Sequence, residues 1–192
     1  MELVFASNNK NKIAEIQALV SNSITVLSLK DIGCTEDIPE TADTIEGNAA
    51  IKANYVTEKY GYNCFADDSG LEIDFLNGAP GVFSARFAGE QKNDKDNIQK
   101  VLAELNGVEN RKAQFKTVIA LNLNGQQNLF TGIIKGIITE NEKGIEGFGY
   151  DPIFQPNDYK ITFAEMNQVK KSAISHRGLA VKKLLSHLLN LM

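Results

Sequence analysis

Two adjacent carboxylates, Asp67 and Asp68, follow the apolar run Cys64-Phe65-Ala66 and precede Ser69-Gly70. Neighbouring acids repel each other. A hard cation such as Mg²⁺ binds oxygen, commonly through one or two carboxylates together with phosphate oxygens, and would relieve that repulsion. A position just after a buried run suits a strand end, where α/β sheets place their ligands. The competing reading is a turn in which one Asp bonds the backbone.

Three other segments carry chemistry of the same kind. Ser7-Asn8-Asn9-Lys10-Asn11-Lys12 joins a short apolar run to a helical pattern. Unpaired N–H groups and the helix dipole favour an anion such as phosphate at that junction. The segment lacks P-loop and GxGxxG spacing, and Ser and Asn also serve simply as helix caps. Gly147-Phe148-Gly149-Tyr150-Asp151-Pro152 offers close backbone approach, two rings for stacking on a base and an acid to hydrogen-bond it. The same residues also read as a Gly-rich turn with its rings in the core. Lys170-Lys171-Ser172 and Ser175-His176-Arg177-Gly178 place cations, a hydroxyl and an imidazole at the start of the last helix, for phosphate recognition or as a solvated basic segment. Arg86 is ambiguous in the same way.

The elements that must position these groups follow from hydrophobic periodicity. Glu2 to Ala6 reads as a buried strand, and Ile13, Ile16 and Leu19 mark the first helix. Ile24 to Leu29 is a second strand, followed by an acidic loop containing Pro39 and Glu40. Ile45, Ala49, Ala53, Val56 and Tyr60 recur at helical spacing, with Gly61 as the stop. The run from Asn63 to Ala66 and the run from Leu71 to Leu76 read as strands with the polar Asp67-Asp68-Ser69-Gly70 turn between them. Ile98, Val101, Leu102 and Leu105 mark a helix with Asp94 and Asp96 in its first turn. Ala113 to Leu123, Asn124-Gly125 and Gln126 to Thr139 form a hairpin. The last 20 residues form an amphipathic helix. Strands interleaved with helices, plus a hairpin, indicate an α/β fold with a mixed central sheet.

With 192 residues, 43% hydrophobic, the chain is long enough to bury a core as a single domain spanning 1–192. It has no signal-like start and no apolar stretch long enough to span a membrane, which predicts a cytoplasmic protein without a membrane partner. A net charge of −4 argues against nucleic-acid binding, which relies on many Lys and Arg contacts to phosphate. Small phosphorylated ligands need only a few local cations. Cys34 and Cys64 lack the spacing of a zinc site and read as buried thiols.

Taken together and in order, these segments resemble the inosine triphosphate pyrophosphatase family across nearly the whole chain. The resemblance rests on Ser7-x-Asn9-x-x-Lys12, Ala66-Asp67-Asp68-Ser69-Gly70-Leu71, and Gly78-Ala79-Pro80-Gly81 with Ser84-Ala85-Arg86. It extends through Gly147 to Phe154 and Lys171-Ser172-Ala173-Ile174-Ser175-His176-Arg177-Gly178. It implies a mixed-sheet α/β fold of two lobes around a nucleotide-binding cleft, a homodimer, and Mg²⁺ as cofactor. It also implies hydrolysis of ITP, dITP and XTP to monophosphate and pyrophosphate, which keeps those nucleotides out of DNA and RNA. Carried over by position, Asp68 is the general base, and Glu40 with Asp68 organises the metal. Ser7, Asn8, Asn9, Lys10, Asn11, Lys12 and Ser69 contact the triphosphate. Phe148, Gly149, Tyr150, Asp151, Lys171, His176 and Arg177 match nucleotide-binding positions. One departure is Gly47, where many relatives carry Glu; here Glu46 stands one place earlier.

The residue types suit attack at the α-phosphorus, since a triphosphate carries about four negative charges that must be screened. A site that bonds the purine 6-carbonyl would reject ATP. Two other readings compete: a Maf-like pyrophosphatase acting on modified pyrimidines, and a catalytically silent nucleotide-binding protein. The segments around Gly147 and Ser175 argue against the first, and the acids Glu40, Asp67 and Asp68 against the second.

Overall fold

Leu3, Val4 and Phe5 are all buried, so strand β1 (Glu2–Phe5) is covered on both faces, as expected of a parallel strand inside an α/β sheet. The computed structural model describes residues 1–20 and 24–191. β1 pairs in parallel with β2 (Thr25–Ser28), with Leu3 opposite Val26, and with β3 (Cys64–Ile73), with Phe5 opposite Phe65. β4 (Lys112–Leu123), β5 (Gln126–Ile138) and β6 (Phe154–Pro156) complete six strands in the order β2-β1-β3-β4-β5-β6. β5 and β6 are antiparallel, so the sheet is mixed, as the sequence pattern predicts. Asn124 and Gly125 both have positive φ, 51° and 79°, the two-residue turn that the Asn-Gly pair predicts.

The chain forms two compact units. The first comprises Met1–Asp68, Thr117–Gly132 and Arg177–Met192. Its core combines Leu3, Phe5, Ile16, Phe65, Ile119 and Leu121 with Ala180, Val181, Leu184 and Leu188. Those last four lie at helical spacing on α5 (His176–Leu189). The Phe5 and Phe65 rings stack with centroids 4.9 Å apart. Helix α1 (Lys10–Leu19) follows β1, and α2 (Ile45–Tyr60) runs from a Thr44 cap to Gly61, whose φ of 74° ends it at the predicted stop.

The second unit comprises Ser69–Lys116 and Ile133–His176. Its core is built from Leu71, Ile73, Ile98, Val101, Phe115, Phe154 and Phe163. Helix α3 (Asp94–Glu104) carries Ile98 and Val101. The Arg111 guanidinium donates to the carbonyls of Leu105, Ile138 and Thr139, satisfying backbone acceptors at the ends of α3 and β5. A short helix α4 (Gln168–Ile174) closes the unit.

Two expectations are corrected. Asp67 to Gly70 is no turn, because β3 runs unbroken from Cys64 to Ile73, and the strand expected to reach Leu76 gives way to a short 3-10 turn at Asp74–Leu76. The quartet stays extended because its carboxylates are satisfied by distant cations and need no local backbone bond. The basic segments also do not share the last helix: Lys170, Lys171 and Ser172 belong to α4, and the extended Ser175, with ψ of 155°, separates it from α5. The last residue of the expected terminal helix, Met192, lies outside the described residues.

Candidate active site

Successive side chains on a strand point to opposite faces, so the paired acids of β3 meet different partners. Asp67 turns toward α1 and α5. Lys12 Nζ lies 3.1 Å from its Oδ1 and 3.0 Å from its Oδ2, and Arg177 Nε donates to Oδ2 at 3.2 Å. Arg177 Nη1 also reaches Glu15 Oε2 at 2.5 Å. Lys12 and Glu15 stand three residues apart on α1 and so share a face. The Asp67 side chain is fully buried and that of Arg177 is 3% exposed, and Lys12, 16% exposed, is the member that reaches the surface.

The turn that starts α1 is organised by its own side chains. Asn9 Oδ1 accepts from the N–H groups of Asn11 and Lys12, at 3.0 and 3.2 Å, and Ser7 Oγ accepts from Asn9 N–H. Of the two readings of Ser7–Lys12, the helix cap is therefore present. Asn8, Lys10 and Asn11 are exposed, and Lys12 reaches inward.

Asp68 faces α2. Lys52 Nζ lies 3.4 Å from Asp68 Oδ1 and 2.5 Å from Glu40 Oε1, so one buried ammonium gathers the two acids assigned to the metal. Asp68 Oδ2 is buried and has no hydrogen-bond partner among the described residues. Electrostatics separate the two aspartates. Burial pushes both carboxyl groups up; at Asp67, Lys12 and Arg177 outweigh burial and hold it well below the usual range. At Asp68 burial prevails over Lys52 and Lys12, and its carboxyl is raised. Burial also lowers the Lys12 ammonium despite Asp67, whereas at Lys52 the surrounding carboxylates outweigh burial and raise it. One aspartate is a fixed counter-ion; the other holds an oxygen in reserve.

That oxygen fits a divalent cation. Glu40 and Asp68 converge on one positive charge, and Asp68 keeps a lone-pair-bearing atom that accepts from no donor among the described residues. Mg²⁺ is typically held by one or two carboxylates, with phosphate oxygens and water completing its shell. Among the described residues no group of three or more His, Cys, Asp or Glu could form an all-protein cage. The donor set therefore suits an ion that arrives with a phosphorylated ligand.

The second unit gathers the other predicted residues. Asp151 Oδ2 accepts from Phe148 N–H at 2.8 Å and from Lys171 Nζ at 2.7 Å. A Cβ on Gly147 would lie 2.0 Å from that same Oδ2, so glycine is required there. Lys171 Nζ lies 4.9 Å from the centroid of the half-buried Phe148 ring. Gly149 N–H donates to Asp94, and His176 stacks on Phe115 with centroids 4.5 Å apart. Ser69 is half-buried on β3. Tyr150 is 4% exposed, and its hydroxyl donates to the Ser84 carbonyl at 2.7 Å, so of the two readings of its ring the core one is present. Tyr150→Phe is expected to destabilise the protein by about 1–2 kcal/mol, checked by urea denaturation, with KM unchanged. A raised KM at unaltered stability would count against the core role.

Two members of the first unit's cluster escaped the sequence reading. Lys52 sits on the same α2 face as the buried Ile45, Asn48, Ala49, Ala53 and Val56. A lysine in register with an apolar stripe is a signal that it has a buried partner. Glu15 gives a weaker signal, an acid beside Ile16 on the buried side of α1.

Comparison with known proteins reaches the same region of function. The Ham1 family model matches residues 3–187. The chain is 65% identical over 190 residues to the dITP/XTP pyrophosphatase of Flavobacterium psychrophilum, covering 99% of this chain and all of that protein. It is 45% identical over 187 residues to the dITP/XTP pyrophosphatase of Bacillus subtilis, covering 95% of this chain and 94% of that one. Its structure is similar to that of the Staphylococcus aureus Ham1 protein, with a TM-score of 0.92 and 37% identity over the full length of both chains.

Proposed function

The chain belongs to the Ham1 family, and we propose that the cluster around Asp68 is where it hydrolyses noncanonical purine nucleoside triphosphates. Its activity is that of a nucleoside triphosphate pyrophosphatase acting on dITP and XTP. We extend the substrates to ITP. The bond broken joins the α- and β-phosphates, leaving a monophosphate and pyrophosphate.

The observation that carries the site assignment is the contrast between the two aspartates. A general base needs a lone pair that no other group already engages and a pKa near the working pH. Asp67 has neither, because its oxygens are taken by Lys12 and Arg177 and its carboxyl is held low. Asp68 Oδ2 has no hydrogen-bond partner among the described residues and its carboxyl is raised, which supports it as the acceptor of a proton from the attacking water. Glu40 and Asp68 would hold Mg²⁺, whose charge would offset that of the triphosphate. Lys12 and Lys52 add positive potential beside the phosphates. Arg177 contributes mainly by keeping Asp67 ionised and in place. The Ser7–Lys12 turn, together with Ser69, is assigned to the phosphates as well.

Purine recognition is assigned to Phe148, Gly149, Asp151, Lys171 and His176, with Tyr150 supporting the loop from the core. Phe148 is the half-buried ring assigned to stacking on the base. Lys171 supplies a donor for the 6-carbonyl, which adenine lacks. We further propose a cytoplasmic homodimer that works without nucleic acid or membrane. Among the described residues, no helix is long and apolar enough to cross a membrane.

The test is product analysis with ITP, XTP, dITP, GTP and ATP, with Mg²⁺ and with EDTA. The expected result is metal-dependent pyrophosphate from the first three and little from the last two, from protein that sediments at about twice 21.1 kDa. Orthophosphate as the product would point to γ-phosphate hydrolysis and reject the mechanism.

A further inference from the structure

Glu40 belongs to no helix or strand; it lies in the irregular stretch between Leu29 and Thr44. A carboxylate that organises a metal must nevertheless be held in place, since small displacements at such a site are costly. What holds this one is visible along α2.

The Glu36 carboxylate is the first anchor. Its Oε1 accepts from the Tyr55 hydroxyl at 2.7 Å, from the Tyr60 hydroxyl at 2.8 Å and from the Lys59 ammonium. Lys59 Nζ in turn lies 3.0 Å from the Tyr55 hydroxyl and 5.2 and 5.7 Å from the centroids of the two tyrosine rings. Hydrogen bonds from Lys59, Tyr55 and Tyr60 hold the Glu36 carboxyl below the ordinary range, so it stays charged at neutral pH. The second anchor is Ala42, whose N–H donates to Asn48 Oδ1 at 2.9 Å. Here the loop lies against the first turn of the helix so closely that a Cβ on Gly47 would come within 2.5 Å of the Ala42 Cβ.

The order of contacts is systematic. Residue 36 meets residues 55, 59 and 60, residue 40 meets Lys52, and residue 42 meets residue 48. The loop therefore runs antiparallel along a single helix, with Glu40 slung between two fixed points opposite Lys52. Only three residues separate Glu36 from Glu40, and one is Pro39, whose ring fixes φ. Little slack remains. Gly47 permits the close approach at the other end.

We infer that Glu36, clamped by Tyr55, Tyr60 and Lys59, is a positioning residue that sets where Glu40 stands for the cation. The inference rests on the assignment of Glu40 to Mg²⁺ made above. The Glu36 carboxylate is engaged by Tyr55, Lys59 and Tyr60, and no role toward substrate or metal is assigned to it. Its loss would leave the chemistry intact once the ion is bound and would weaken the ion's capture.

The experiment compares Glu36→Ala, the double variant Tyr55→Phe/Tyr60→Phe and Glu40→Gln with the parent protein. Three quantities are read: the Mg²⁺ concentration giving half-maximal pyrophosphate release, kcat at saturating Mg²⁺, and backbone amide exchange in metal-free protein. For both clamp variants, half-saturating Mg²⁺ should rise about tenfold, in line with the loss of groups that orient metal ligands. Their kcat at saturation should stay within about twofold of the parent, since the groups that do the chemistry are unchanged. Amide exchange should accelerate from residue 36 to residue 43 and should be unchanged within α2. Glu40→Gln should lower kcat at every Mg²⁺ concentration. Faster exchange without a change in Mg²⁺ dependence would overturn the positioning role, as would unaltered exchange. A normal Mg²⁺ response in Glu40→Gln would overturn the metal assignment itself, and the positioning role with it.

Discussion

Asp68→Asn is expected to lower kcat by about 10²–10⁴-fold, the scale on which a positioned general base acts, while leaving the protein as stable as the parent or more so. The second half of that expectation follows from the sign of the Asp68 shift. Its carboxyl is raised in the folded protein by burial, so the folded state binds its proton more tightly than the unfolded chain does. Above the unfolded value of about 3.9, ionised Asp68 therefore costs stability, and the cost disappears as pH falls below that value. Asn carries no charge and removes the cost. Urea denaturation and steady-state kinetics on one preparation check both halves. Near-normal turnover would reject the base, and a large loss of stability would show that Asp68 is structural. In metal-free protein the Asp68 carboxyl should correspondingly titrate above the ordinary carboxylate range.

Arg177→Met should have the opposite profile, a loss of about 3–5 kcal/mol in stability, because it leaves Glu15 and Asp67 buried with less compensation. The pH dependence again has a definite sign. Asp67 is held below its unfolded value by Lys12 and Arg177 against the effect of burial. The stability it contributes is present in full above that unfolded value and is lost as pH falls through the folded one. Removing Arg177 brings the folded value back up, so the variant should unfold at a less acidic pH than the parent. Adding Glu15→Gln should recover part of the loss, since the uncompensated charge goes with it. A stability loss below about 1 kcal/mol would show that the network is surface-like and that Arg177 is available for other work.

Periodicity alone carried much of the architecture. The stripe of Ile45, Ala49, Ala53 and Val56 with Gly61 after it placed α2, and the Asn124-Gly125 pair placed the hairpin, because both signals are local. Asp67 to Gly70 misled for the same reason: four polar or small residues in a row look like a turn when only neighbours are considered. What keeps them extended is Arg177, 110 residues further along the chain, together with Lys12 from α1. Long-range compensation of charge leaves no periodic trace. Lys52 illustrates an intermediate case, since its register on the buried face was readable, while its partners Glu40 and Asp68 were not. Tyr150 could have stacked on a base or filled the core, and only the position of the Ser84 carbonyl decides between them.

Helix α2 presents one face on which Asn48, Lys52 and the buried apolar residues must stay in phase, with Tyr55, Lys59 and Tyr60 following in the same winding. A residue gained or lost within it would turn everything downstream by about 100°. Heritable length changes in this segment should therefore be purged far more severely than exchanges of one outward side chain for another, so that its sixteen residues would drift in composition while keeping their count.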